Sequence, residues 1–124
     1  MTPGAGGSRW VLLLTSGDPH RLSEAAAMAA SAASLGTDVT LVWLSRALEA
    51  LVSGRLDDEP GEPGTASRLL AEARDTGRLH ALACSAAVVE SGATPEALRA
   101  SVDDIVGWPT IVALLRNAEK SFVW

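Results

Sequence analysis

The chain has a single cysteine, Cys84, among its 124 residues. One cysteine cannot form an intramolecular disulfide, so the sequence lacks the pattern of a small secreted protein that is stabilised by disulfides. It also has no tyrosine, one phenylalanine and four tryptophans, and its formal net charge is −5. Few aromatic residues and no basic stripe argue against a nucleic-acid surface, and the negative charge disfavours binding to an anionic membrane.

Long apolar runs are absent as well. The run from Trp10 to Leu14 is too short for the hydrophobic region of a signal peptide. The Ala-rich segment 25–35 contains two serines and is far shorter than a membrane span. Residues 1–8 are predicted to be a flexible tail, and residues 9–124 are long enough for one domain with a single core. A cytoplasmic location is the simplest interpretation.

Apolar runs alternate with helical patterns along the rest of the chain. Strands are predicted at residues 10–15, 39–44, 79–83, 104–107 and 120–124, with helices between them. Continuous apolar strands are typical of parallel sheets that are covered on both faces. The alternation therefore predicts a three-layer α/β/α fold with a mostly parallel, five-stranded sheet. In such a sheet the carboxyl ends of the strands share one edge, where ligands bind.

Residues 54–64 interrupt this pattern with glycines, prolines and four acids, which are Asp57, Asp58, Glu59 and Glu62. This composition predicts a mobile surface loop that does not pack into a core. The acids form either a solvated loop surface or a docking patch for a basic partner.

Cys84 stands where the third strand gives way to a helix that starts at or just after it. A thiol in a first helical turn faces unpaired N–H groups and the positive end of the helix dipole, which favour the reactive thiolate. Free cysteine is also among the most buried side chains, so a purely structural role stays open. Ser85, Asp18, His20 and Arg46 are predicted to reach the same sheet edge and to contribute to binding. A nearby His20 or Arg46 would lower the pKa of Cys84, whereas Asp18 would raise it.

The two histidines limit the other chemistry that the chain can support. His80 precedes Cys84 by four strand residues, roughly 13 Å along an extended strand, so it cannot act as a base for the thiol. His20 is the remaining partner for a cysteine hydrolase. The histidines and the cysteine lack metal-ligand spacing, and the N-terminal glycines precede the first strand, whereas a phosphate-binding fingerprint would follow it. Neither a metal nor a cofactor is expected.

The order and spacing of these elements resemble the DsrE/TusD family of sulfur-relay proteins. The segment from Cys84 to Thr94 is similar to the family's cysteine turn, where a cysteine after the third strand precedes a small Ala-rich helix and a Gly-containing turn. Residues 12–18 resemble the family's first strand and turn, and residues 25–36 its Ala-rich first helix. The segment 105–107, the helix with Leu114 and Leu115, and the closing strand also fit.

The resemblance implies a DsrE-like domain that forms homo-oligomers. It also implies that Cys84 accepts a persulfide from a sulfur donor protein and passes it to an acceptor protein, with helix N–H groups stabilising the persulfide anion. No redox cofactor is needed for that transfer. Two other interpretations stay open. One is a non-enzymatic module for oligomerisation or docking, in which Cys84 fills space. The other is a thiol-redox protein, which needs a resolving thiol from another subunit or a small molecule.

Overall fold

A five-stranded parallel sheet is the centre of the fold. The computed structural model describes residues 9–58 and 64–124. The strands are β1 (Arg9–Leu14), β2 (Asp38–Trp43), β3 (Leu79–Cys84), β4 (Asp104–Val106) and β5 (Lys120–Val123). They lie in the order β4-β3-β2-β1-β5, and every neighbouring pair is parallel. The predicted α/β class with five strands is confirmed, and the sheet is parallel throughout.

The helices begin and end close to the positions that local sequence signals predict. They are α1 (Pro19–Ser34), α2 (Ser45–Ser53), α3 (Thr65–Asp75), α4 (Ser85–Ser91), α5 (Pro95–Leu98) and α6 (Trp108–Asn117). The side chains of Asp18 and Thr94 cap α1 and α5, each directly before a proline. Gly64 is the N-cap of α3, and Thr65 is the first residue of that helix. None of the described helices is long and apolar enough to cross a membrane.

Right-handed crossovers decide which face of the sheet each helix covers. The chain moves from β1 to β4 in one direction, which places α1 and α3 on one face, here called the α1 face. The return from β4 to β5 places α6 on the opposite face, here called the α6 face. In agreement, α1 packs on α3 and on β1, β2 and β3, while α6 packs on β1. One face thus carries two long helices and the other only α6.

The core lies mainly between the sheet and the helices of the α1 face. Alternating side chains point to opposite faces of a strand. Eight residues on the α1 face are at most 2% exposed: Leu12, Leu14, Val39, Leu41, Trp43, Leu79, Ala81 and Ala83. On the α6 face, Val11, Val42 and Cys84 are at most 3% exposed, but Leu13 and Leu82 are half-buried and His80 is exposed. The α6 face is therefore only partly covered.

The segment after α2 corrects one prediction. Residues Arg55–Asp58 form a 3-10 turn, and Leu56 is buried in the core at 2% exposure. The hydroxyl of Ser67 donates to the carboxylate of Asp57 at 2.7 Å. This part of the predicted surface loop is packed because one leucine anchors an otherwise polar segment. The predicted flexible tail, residues 1–8, and the other side chains of the acidic cluster lie outside the described residues.

Asp103 ties the edge strand β4 to its neighbours. Its backbone N–H donates to the Ala81 carbonyl at 2.7 Å. Its carboxylate accepts from the Ala81 N–H at 2.7 Å and from the Arg74 guanidinium at 2.8 Å. Burial raises the pKa of Asp103, but the hydrogen bonds from Ala81 and Arg74 and the charges of Arg74 and His80 outweigh it. Together they hold the pKa below its ordinary value of 3.8.

Asp103→Asn should lower the free energy of unfolding by about 1 kcal/mol at pH 7, because the amide has one acceptor oxygen where the carboxylate offers one to the Ala81 N–H and another to Arg74. The carboxylate is 41% exposed, so the ion pair itself adds little. A carboxylate with a lowered folded pKa stabilises above its unfolded pKa, about 3.9, and that contribution is lost as the pH falls through the folded pKa.

The difference between the variant and the parent protein should therefore shrink as the pH falls toward about 2.5, as measured by urea unfolding at both pH values. Asp75→Asn, at an exposed position of α3, serves as the control and should change stability by less than about 0.5 kcal/mol. An equal loss at both pH values would mean that the carboxylate charge contributes nothing.

Candidate functional site

The carboxyl ends of the strands bring the predicted site residues to one edge of the sheet. Cys84 ends β3 and Ser85 follows it, Arg46 follows β2 by three residues, and Asp18 follows β1 by four. Neighbouring strands are about 4.8 Å apart. Since β2 lies between β3 and β1, Cys84 is separated from the turn after β1 by two strand spacings, about 10 Å.

Cys84 is both the last residue of β3 and the N-cap of α4. The strand-to-helix transition predicted at this residue is confirmed. Its side chain is only 2% exposed, and it makes no capping hydrogen bond to the first amides of α4. It pairs in register with Val106 of β4. In the described chain the thiol is thus a packed core group without an amide donor.

Ser85, the next residue, is exposed and marks where two helix starts meet. A Cβ placed on Gly107 would lie 3.8 Å from the hydroxyl oxygen of Ser85. Gly107 is the N-cap of α6. The first turns of α4 and α6 therefore lie side by side, next to Cys84.

Asp18 and Arg46 line an open cleft of about 760 Å³ at the same edge, together with Glu49 and Arg55. Gly17 packs tightly at its base, since a Cβ there would stand 3.2 Å from both the Cβ and the carbonyl oxygen of Arg46. Cys84 and Ser85 do not line this cleft, and His20 is an exposed residue in the first turn of α1. The structure thus brings together Asp18 and Arg46 without the thiol.

The backbone N–H groups of the turn after β1 already donate hydrogen bonds within the chain. The N–H groups of Thr15 and Ser16 donate to the backbone oxygen of Trp124 at 2.7 and 3.0 Å. The Asp18 N–H donates to the Ser16 hydroxyl, and the His20 N–H to the Asp18 carboxylate, each at 3.1 Å. The ligand crevice of a doubly wound sheet lies where strand order reverses, here between β1 and β5. Trp124 occupies that position and satisfies the amides that would hold an anion.

The tryptophans divide between core and surface. Trp43 is 2% exposed, whereas Trp108 is 51% exposed. Trp10 and Trp124 are half-buried and pack on the ring of Phe122, with centroids 5.3 and 6.1 Å away. The four tryptophans thus range from fully buried to half exposed.

Helix α6 carries a feature that sequence analysis missed. Six of its ten residues are apolar, yet Ile111 is its only buried residue. Trp108 and Val112 are 51% and 48% exposed. The signal that could have found this is the return of the chain from β4 to the far edge of the sheet, but that depends on the strand order.

No family model matches the chain, and a search of curated proteins finds no similar protein. The resemblance to the DsrE/TusD family therefore stays a prediction from the sequence pattern. Among the residues that the structure describes, no three His, Cys, Asp or Glu side chains are grouped so that they could hold a metal ion.

The burial of Cys84 predicts slow alkylation. Iodoacetamide should modify the native protein at least about 100-fold more slowly than the urea-unfolded chain, because modification requires a local opening that costs free energy. Intact-mass spectrometry over time measures both rates. Ser85→Cys in a Cys84→Ala background places a thiol one residue away at an exposed position and should react rapidly. Native Cys84 that reacts as fast as this control would contradict the described packing.

Proposed function

We propose that this chain is a non-enzymatic α/β module that acts by self-assembly, with Cys84 as part of its core. Two copies pack together through one apolar flank of α6. The proposal rests on one observation: most residues of α6 are apolar, but few of them are buried. An amphipathic helix normally buries its apolar side, whereas α6 buries only Ile111 among the described residues of this chain.

The flank consists of Trp108, Val112 and Leu115, here called the α6 flank. These residues are four and three positions apart, so they lie on the same side of the helix. Trp108 and Val112 are about half exposed, and Leu115 packs against the edge of the core. The opposite side of α6 faces the amino-terminal half of the sheet through Leu114 and Asn117.

The sheet adds apolar surface on the same face as α6. Leu13 of β1 and Val123 of β5 pair in register on the α6 face. Val123 is 66% exposed, and Leu13 is half-buried. Both lie in the carboxyl-terminal half of their strands. Exposed apolar surface of this kind marks an interaction site.

The net charge of the chain favours a second copy of the same chain as the partner for this surface. The chain carries a net charge of −5, so most of its surfaces repel each other in a homo-oligomer. The α6 flank and the Leu13–Val123 pair contain no charged residue. Two copies related by a two-fold axis can therefore bury the same patch on each side without apposing like charges.

Val112→Glu should disrupt the assembly, because it places a carboxylate at the centre of the apolar patch, where it would be desolvated. Sedimentation velocity at increasing protein concentration measures the distribution of species. The parent protein should sediment as a dimer or larger oligomer, and the variant as a monomer with an unchanged circular dichroism spectrum. Val52→Glu is a matched control, since Val52 on α2 is 42% exposed and Val112 is 48% exposed.

A parent protein that stays monomeric up to about 100 μM would contradict the proposal, because a functional assembly should form well below that concentration. Equal dissociation by the two glutamate variants would also count against it, since only Val112 lies on the α6 flank.

The sulfur-carrier function that the sequence resemblance implies is a second candidate. It is favoured by the position of Cys84 at a strand-to-helix turn on the carboxyl edge of the parallel sheet. The Cys84 thiolate would attack the outer sulfur of a donor protein's persulfide. The donor's S–S bond breaks, a new S–S bond forms on Cys84, and the donor leaves as a thiolate, so no oxidant is needed. Because the side chain is buried, this reaction requires the first turn of α4 to open when the donor docks.

Incubation with cysteine and a cysteine desulfurase separates the two candidates. A sulfur carrier should gain the mass of one sulfur atom on the parent protein, and Cys84→Ala should gain none. The assembly module should gain no sulfur, and Cys84→Ala should sediment like the parent protein because Cys84 lies in the core and outside the α6 flank. Sulfur on Cys84 would replace the first proposal with the second.

A further inference from the structure

A groove of about 430 Å³ lies on the other side of α6, away from the α6 flank. Its floor is formed by Val11, Thr40 and His80, which lie side by side in one row across β1, β2 and β3. Leu114 and Asn117 of α6 form one wall. The volume falls within the usual range for small-molecule sites, about 300–1,000 Å³.

The side chains on the groove floor become more polar and more exposed from β1 toward β3, away from α6. Along the row, Val11 is 3% exposed, Thr40 is half-buried and His80 is exposed. Central strands of a parallel sheet normally present apolar residues to both faces. Thr40 and His80 are polar residues at the same register position of two neighbouring central strands. The sequence therefore gives the groove a polar floor.

The polar groups of this groove have unused hydrogen-bonding capacity. Within residues 9–58 and 64–124, the Thr40 hydroxyl and the His80 ring make no hydrogen bond, and Arg9 at the rim makes no ion pair. Asp38 is the one carboxylate among the lining residues. It lies 3.6 Å from the guanidinium of Arg78, which offsets its charge. Asp38 also pairs in register with Arg9, so Arg9 and Arg78 together outweigh it by one positive charge, which favours an anion.

We propose that this groove binds a small molecule with one carboxylate and an apolar body. Thr40 and His80 lie on adjacent strands, about 4.8 Å apart, so they can donate to the same carboxylate, and the long side chain of Arg9 supplies the countercharge. The apolar body packs on Val11 and Leu114. The site lies on the side of α6 that the proposed assembly leaves open, so binding does not depend on assembly.

The test titrates 3-phenylpropionate and its neutral analogue 3-phenylpropan-1-ol into the full ¹⁵N-labelled chain and follows amide chemical shifts. The carboxylate should shift the amides of Thr40, His80 and Ala113 in a saturable way. It should bind about fivefold more tightly than the alcohol, the effect expected of partly exposed charge pairs.

Arg9→Gln should abolish that preference, because it removes the charge and keeps most of the side chain. Arg116→Gln is the matched control, since Arg116 is an exposed arginine of α6 outside the groove, and it should change either affinity by less than about twofold. Val112→Glu should still bind the carboxylate. The proposal is overturned if no saturable shifts appear up to about 20 mM probe, or if the two probes bind with equal affinity. It is also overturned if the two arginine variants have equal effects on binding, or if Val112→Glu no longer binds the carboxylate.

Discussion

The right-handed crossover is the constraint on which the rest of this structure depends. Three successive connections move the chain across the sheet from β1 to β4, and each must return over the α1 face. Only the last connection runs the other way, so a single ten-residue helix is left to cover five strands. The well-packed core on one side and the partly open surface on the other follow from that one rule.

Local signals in the sequence predict the elements because their causes are local. Asp18 before Pro19, and Thr94 before Pro95, combine a side-chain cap with a residue whose geometry suits the first helical turn. Even β4, three residues long, was predicted at its observed position. Leu56 is the counterexample. Its burial depends on the contacts that its 3-10 turn makes with α1 and α3, and the sequence of residues 54–64 gives no sign of those contacts.

The candidate site was harder to predict than the fold because it depends on distant contacts. The position of Cys84 at the end of β3 could be derived from its neighbours in sequence. Its burial could not, because that depends on Val106 and the start of α6, more than twenty residues away. The same holds for Trp124, which occupies the crevice beside β1 only because β5 takes the edge position next to that strand. Chemistry at the carboxyl edge is thus controlled by the last third of the chain.

The pairing of β1 with β5 also shapes how the chain reaches this state. The Thr15 hydroxyl donates to the backbone oxygen of Trp124 across a separation of 109 residues, and β5 is the last of the five strands in chain order. Until β5 has been synthesised and has paired, one edge of β1 has no neighbour. Contacts of such long sequence separation slow folding, and unpaired strand edges promote aggregation in the interval. The sheet should therefore depend on chaperones until β5 has paired with β1.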